Sequence, residues 1–433
     1  MTGKRRAGKP GKAPKPVAPP TPVPSATTAV IAPRKSRREL RADRRRQRRR
    51  RMGAAGIVAI VLAVAIVAAA IGFGVHQATS GSSSAADTQT SVLVTMQGDD
   101  GNAVASMLAA HDVKAKQGVE LLIPSRLITD VCGFGTQQFG QIVGLPNGAR
   151  LASRTLSQVL GGVGIDGTWT FSKQQLARLV DVVGGVTVDV DADVLQQQGG
   201  STLVVVPAGK GQHLNGARAT AFASYQGSGE DATAVLTRTQ TVFQAVVDAL
   251  PTKPADAAKV LASAGVQASV SRETLATLLT SLARDDKGSS PSLLPVVLPS
   301  KPIDTGGGAT SYRVDPIELS KLVHAQLAQS LPPGPQRKQP TVLIENGVGT
   351  SGLVGSACDR LLPNGYGFAG SGNAPNFNYA TSQIIVFSDS VAAARVGNDI
   401  ARLLKLPEGD VVASSQGQNV ADVVVILGRD YHP

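Results

Sequence analysis

The chain has 433 residues, with 43 Lys and Arg against 31 Asp and Glu, and only two cysteines. That length suggests two or three folded units with real cores, and two cysteines make no disulfide framework. The net charge of +12 is uneven: residues 1–52 hold 18 basic and two acidic residues, the remainder 25 basic and 29 acidic, so the remainder lacks any bulk signature of nucleic-acid binding.

Residues 1–33 are rich in Pro, Ala and Lys and predict a disordered tail, which continues through the arginines to residue 52. Eleven arginines and one lysine lie between Arg34 and Arg51. The uncharged apolar run Gly53–Val75 follows, 23 residues long and enough to span a hydrocarbon core of about 30 Å. Positive charge stays on the cytoplasmic side, so the N-terminus is expected inside and everything after His76 outside. A cleavable signal peptide has a shorter apolar core behind a short leader, whereas this leader is about fifty residues. The arginines against the membrane segment suit anionic lipid headgroups rather than nucleic acid. Residues 76–91, rich in Ser, Gly, Ala and Thr, predict a linker.

The first folded unit is expected over 92–330. Val92–Met96 reads as a strand; Ala103–His111 fits helix or strand; Val119–Ile123 reads as a strand ended by Pro124. Leu156–Leu160 and Lys173–Val182 carry helical spacing, Thr187–Val190 and Leu203–Val206 are β-branched strands, and Ala217–Tyr225, Ala234–Leu250, Pro254–Ala264 and Arg272–Arg284 predict helices. The segment Ser330–Pro340 is a Pro-rich boundary, with 331–340 as linker. A smaller unit over 341–430 alternates strand Thr341–Ile344, helix Leu353–Leu361, strand Gln383–Phe387, helix Ser390–Leu404 and strands Val411–Ala413 and Val423–Leu427. Both units therefore predict α/β folds.

Chemistry is sparse in this pattern. His76, His111, His213, His324 and His432 show no metal-ligand spacing. No nucleophile-elbow motif occurs, and acid pairs such as Asp99/Asp100 and Glu230/Asp231 are ordinary surface features. The turn Gly347–Gly352 matches a dinucleotide fingerprint between a strand and a helix. No acidic residue follows at ribose distance, so the glycines are expected to serve the turn and no nucleotide is expected to bind. Cys132 and Cys358 lie in separate predicted units; outside the cytoplasm a disulfide is permitted, yet nothing in their spacing pairs them.

Three segments resemble a known family. Leu179–Val190 (LVDVVGGVTVDV), Gly209–Phe222 (GKGQHLNGARATAF) and Val235–Gln240 (VLTRTQ) resemble, in order and spacing, motifs of the LytR-CpsA-Psr family. Val342–Leu353 and Ala421–Asp430 resemble the LytR C-terminal domain. The resemblance implies an anchored extracytoplasmic protein of the cell envelope. Its members transfer glycopolymers from polyprenyl-pyrophosphate carriers to peptidoglycan, clamping the diphosphate with arginines and a magnesium ion held by aspartates. A diphosphate needs such bidentate, permanently charged partners.

The charged positions depart from that pattern. The family's Ile-Pro-Arg-Asp-Thr is replaced by Ile123-Pro124-Ser125-Arg126-Leu127, with the arginine moved by one. Ser224 and Gln226 stand where an Arg-x-Arg pair is expected, Val235 where the next helix begins with Arg, and Ala103–Ser106 reads AVAS where a metal-binding Arg-Ser-Asp would lie. Each lost arginine removes a charge-assisted contact of roughly 1.5–3 kcal/mol. The pyrophosphate-binding candidates that remain are Arg126, Asp231 and Arg238. The expectation is a kept scaffold with an emptied site, acting without a cofactor as a binding or scaffold module toward wall polymer, peptidoglycan, polyprenyl lipid or a protein. The alternative is an active phosphotransferase that uses Mg2+ with those three residues.

Overall fold

The computed structural model describes residues 89–287, 293–305, 310–331, 339–407, 411–414 and 420–433. The predicted tail, the membrane segment 53–75, nearly all of the linker 76–91 and most of the Pro-rich boundary lie outside these residues. No helix among the described residues is long and apolar enough to cross a membrane.

The first unit begins with strands β1 (Gln89–Gln97), β2 (Ala103–Asp112), β3 (Gln117–Ile123), β4 (Ile128–Val131) and β5 (Gly135–Gln138), then helices α1 (Phe139–Ile142) and α2 (Gly148–Val159). Next come β6 (Gly167–Ser172), α3 (Lys173–Val182), β7 (Val186–Val190), β8 (Val194–Gln198), β9 (Ser201–Val206) and β10 (Gly209–Leu214). Helices α4 (Gly216–Ala223), α5 (Ala232–Ala249), α6 (Pro254–Ser263) and α7 (Arg272–Lys287) follow, then β11 (Leu293–Val297), β12 (Ser300–Ile303), β13 (Ser311–Val314) and α8 (Pro316–Gln326).

A five-stranded sheet in the order β11-β3-β2-β1-β6 is the spine of this unit. Its three central strands are antiparallel, and both edge strands run parallel to their neighbours. Alternation along β1 sends Val92, Val94 and Met96 to the core shared with α3 to α7, and Leu93 to the core shared with α1, α2 and α8. The result is three layers, helices on both faces of one sheet.

The segment Ala103–His111, open between helix and strand in the sequence, is the centre of that sheet. Buried on both faces, it shows a continuous apolar run instead of alternation, which is why its periodicity was silent. β1 starts at Gln89, within the stretch read as linker. Both edge strands, β6 and β11, escaped the sequence pattern. β11 carries Pro295, which an edge position tolerates.

The motif glycines place helices and turns. Gly184 and Gly185 adopt φ of +89° and +92° and turn the chain from α3 into β7. Gly216 opens α4 against α3, where a β-carbon would stand 2.1 Å from the Ala177 carbonyl oxygen. Ser172, Asn215 and Asp231 cap α3, α4 and α5 with their side chains.

The second unit contains β14 (Thr341–Asn346), α9 (Leu353–Leu361), β15 (Gly367–Asn373), β16 (Gln383–Val386), α10 (Val391–Leu404), β17 (Val411–Ala413) and β18 (Val423–Leu427). Its sheet order is β15-β14-β18-β16-β17, with only the β16–β18 pair antiparallel. Both helices pack on one face, over Val342, Ile344, Val423 and Val425.

The two sheets belong to one compact unit. Cys132, just after β4, and Cys358, in α9, form a disulfide across a sequence separation of 226, with Cα atoms 6.4 Å apart. Spacing along the chain left this pairing open. Gly133 passes so close to Gly355 that a β-carbon would stand 3.0 Å from its backbone. Asp359 pairs with Arg154 and, at 3.9 Å, with Arg150.

Candidate functional site

Helix α5 carries two of the three candidate residues, and the structure sends them different ways. Arg238 lies in its second turn, with 3% of its side chain exposed. Its Nε and Nη2 donate to Asp191 at 2.9 and 2.7 Å, and Nη1 and Nη2 donate to Glu230 at 2.7 and 2.8 Å. Nη1 also donates to the Tyr225 carbonyl at 2.8 Å, and the guanidinium carbon stands 5.3 Å from the Tyr225 ring centre. A guanidinium has five N–H groups. All five are taken, by two carboxylates and one carbonyl.

The electrostatics follow. Hydrogen bonds from Arg238 hold the Glu230 carboxyl below its usual range. Burial pushes Asp191 up, but the hydrogen bonds and charge of Arg238 outweigh it and hold that carboxyl low too. The Arg238 guanidinium is held above its ordinary value, first by Glu230, against its own burial and then with Asp191. One cation between two carboxylates leaves a net charge of −1, which repels a diphosphate.

Asp231 and Arg126 come together elsewhere, around a residue the sequence did not single out. Asp231 caps α5, accepting from the Thr233 backbone N–H at 2.9 Å and from the Thr233 hydroxyl. Its other oxygen accepts the Tyr312 hydroxyl at 3.4 Å. The Tyr312 backbone N–H donates to the Arg126 carbonyl at 3.0 Å. Tyr312 is pushed up to about 12 by burial and then by Asp231, while the charge of Arg126 pulls it down. No local pattern marks Tyr312; the β12–β13 hairpin brings it back to the end of β3.

The residues do not fit a magnesium site. Ala103 and Ser106 are buried and carry no carboxylate, and Ser106 instead shares a hydrogen bond with Thr95 at 3.3 Å. Both oxygens of Asp231 already accept protein hydrogen bonds. Among the described residues no group of three acidic, His or Cys side chains is placed to hold a metal.

The apolar layer between the sheet and α3 to α7 is built around three aromatic rings. Trp169, Phe171 and Phe243 stack there with ring centres 5.1 and 6.1 Å apart. The pocket they line with Leu176, Leu179 and Val246 has room for about 10 Å³, the space of about one water. Into the same layer β3 sends Glu120, fully buried, with one oxygen accepting from Gln240 at 2.7 Å and the other without a partner. Burial pushes this carboxyl up to about 7 against the Gln240 hydrogen bond.

In the second unit the glycine turn is occupied by its own side chains. Asn346 accepts from the backbone N–H groups of Val348 and Gly349 at 3.1 and 2.9 Å and donates to the Thr350 carbonyl at 2.9 Å. The Phe377 ring lies against Gly349, its carbons 3.4–3.7 Å from where a β-carbon would stand.

Residues 88–285 match the LytR_cpsA_psr family, and residues 339–431 match the LytR_C family, described as LytR cell envelope-related transcriptional attenuator. The chain belongs to the LytR-CpsA-Psr family. It is a cell-envelope protein with a family domain followed by a LytR C-terminal domain. Among solved structures, this family member is similar to B. subtilis TagV, at 18% identity and a TM-score of 0.48, over 57% of this chain and 99% of that one. A transcriptional regulator from Enterococcus faecalis is similar at 18% identity and a TM-score of 0.45, over 56% of this chain and 88% of that one. The LytR-CPS2A-psr family protein YwtF (TagT), solved with bound octaprenyl pyrophosphate lipid, is similar at 19% identity and a TM-score of 0.43, over 58% of this chain and 95% of that one. No curated protein matches the chain.

Proposed function

We propose that this LytR-CpsA-Psr protein is a non-catalytic envelope module, anchored by residues 53–75 with its folded units outside the cytoplasm. It binds wall components there instead of transferring them. The observation that carries this reading is the saturation of Arg238. The candidate that keeps the family's motif position has no N–H left for phosphate, and its surroundings are net negative. The absence of carboxylates at 103–106 and the small size of the pocket lined by Trp169, Phe171 and Phe243 point the same way. The Cys132–Cys358 disulfide supports an oxidising, extracytoplasmic location.

The second reading is a magnesium-dependent phosphotransferase that attaches glycopolymers to peptidoglycan. What favours it is Tyr312, which donates its hydroxyl to the Asp231 carboxylate and its backbone N–H to the Arg126 carbonyl. Even with the Arg126 side chain turned to a ligand, a single arginine is short of what a diphosphate requires. The test is a turnover assay of purified residues 89–433 with magnesium and a polyprenyl-pyrophosphate glycan. Neither release of polyprenyl phosphate nor ligation is expected. Turnover that Arg126→Ala abolishes while the melting temperature stays unchanged would establish the second reading instead.

A further inference from the structure

The β8–β9 hairpin stands clear of the core that carries it. Among the described residues its two strands pair only with each other. Val194 and Val206, at its base, belong to the core shared with α3 to α7, and Asp193 fixes that base by accepting the Ala208 backbone N–H at 2.7 Å. Every residue from Leu195 to Val204 is exposed. The Gly199–Gly200 turn, with φ of +57° and +83°, supplies the twist of a two-residue hairpin. Leu195 lies opposite Val204, and Leu203 opposite Gln196. Alternation therefore puts Leu195 and Val204 on one face and Leu203 on the other, at 43%, 53% and 45% exposure.

A lone two-stranded hairpin is marginal in water, and further strands are what stabilise such a ribbon. Proteins commonly guard a bare edge with charge or proline. Between Val194 and Val206 there is neither. The chemistry of the ribbon selects its occupant. It has no Lys or Arg to meet a membrane surface or a polyanion, and no aromatic ring to meet a sugar face. An extended, uncharged, β-branched strand fits its edge. The same segment of a second copy is such a strand, since Ser201–Val206 reads STLVVV. Two copies meet there with no like charges opposed, and a two-fold axis runs a strand antiparallel to itself.

We propose that the β8–β9 hairpins of two copies pair edge to edge, antiparallel, into one four-stranded sheet, and that the protein self-associates through it. The inference stands beside the reading of the chain as a binding module and does not rest on it.

The test is sedimentation equilibrium of the full chain in a neutral detergent. A monomer–dimer equilibrium is expected, half dimer at about 100 μM or below. Val204→Lys puts a charge on each ribbon and should weaken dimerisation at least about tenfold with melting unchanged. Val412→Lys, at a site 49% exposed on the edge strand β17 of the second sheet, should leave it unchanged. Hydrogen exchange of the wild type needs no variant and decides the matter even if Val204→Lys fails to fold. Amides between Leu195 and Val204 should exchange more slowly as the concentration rises from about 5 to about 200 μM, and those of β17 should not change. A monomer throughout that range would overturn the proposal. So would a dimer that protects other amides, or one that Val204→Lys spares.

Discussion

Cys132 and Cys358 join the two α/β units of this chain across 226 residues of sequence. Both residues are buried, at 4% and 0% exposure, and Asp359, which pairs with Arg150 and Arg154, directly follows Cys358. A bond that closes so long a loop removes much freedom from the unfolded chain.

The double variant Cys132→Ser/Cys358→Ser should therefore be less stable by about 2–5 kcal/mol. Thermal unfolding with and without a thiol reductant checks this, since the reduced wild type should melt like the variant. Thiol titration of the native protein should find no free cysteine. Two titratable thiols, or an unmoved melting temperature, would show that the bond does not hold the units together.

Arg238→Ala leaves Asp191 and Glu230 facing each other without their cation. Breaking a fully buried pair costs about 3–5 kcal/mol, and here water reaches the partly exposed carboxylates, so about 2–4 kcal/mol is expected in urea unfolding. Arg238→Lys should recover only part of this, because an ammonium has three donors for five contacts. A loss below about 0.5 kcal/mol would mean that the cluster is ornamental to the fold.

Glu120 predicts a pH dependence of definite sign. Its carboxyl titrates near 7 in the folded protein against an ordinary value of 4.5. Between those values the folded state keeps a proton that the unfolded state has released. Stability should fall as pH rises through that window, by up to about 3 kcal/mol, and level off above it. Glu120→Gln keeps the shape without the charge and should flatten the profile. Denaturant midpoints measured across the window would refute this if both proteins gave the same slope.

No nucleotide is expected in the Gly347–Gly352 turn. The N–H groups that would cradle a phosphate are already bonded to Asn346, and Phe377 lies against Gly349. Calorimetry of residues 89–433 with NAD and ATP is the measurement. Saturable binding tighter than about 100 μM, roughly 5.5 kcal/mol, would show that Asn346 and Phe377 yield to a ligand.

What the sequence determined by itself was the set of elements whose periodicity or punctuation is local. Lys173–Val182 was legible because its apolar spacing is helical, and the structure adds the Ser172 cap before it and the Gly184–Gly185 turn after it. The resemblance to the family rested on such glycine and apolar positions, whereas the expectation of a lost charged site rested on Ser224, Gln226 and Val235 standing where arginines were expected. Tertiary structure decided the rest. β2 was ambiguous because a strand buried on both faces has no alternation, and Tyr312 was invisible because a hairpin far along the chain carries it to Asp231. The sequence retained Arg238 as a candidate clamp; only the fold shows Asp191, 47 residues away, and Glu230 occupying its donors. Residue type states what a side chain can bond to, whereas long-range packing selects which partners reach it first.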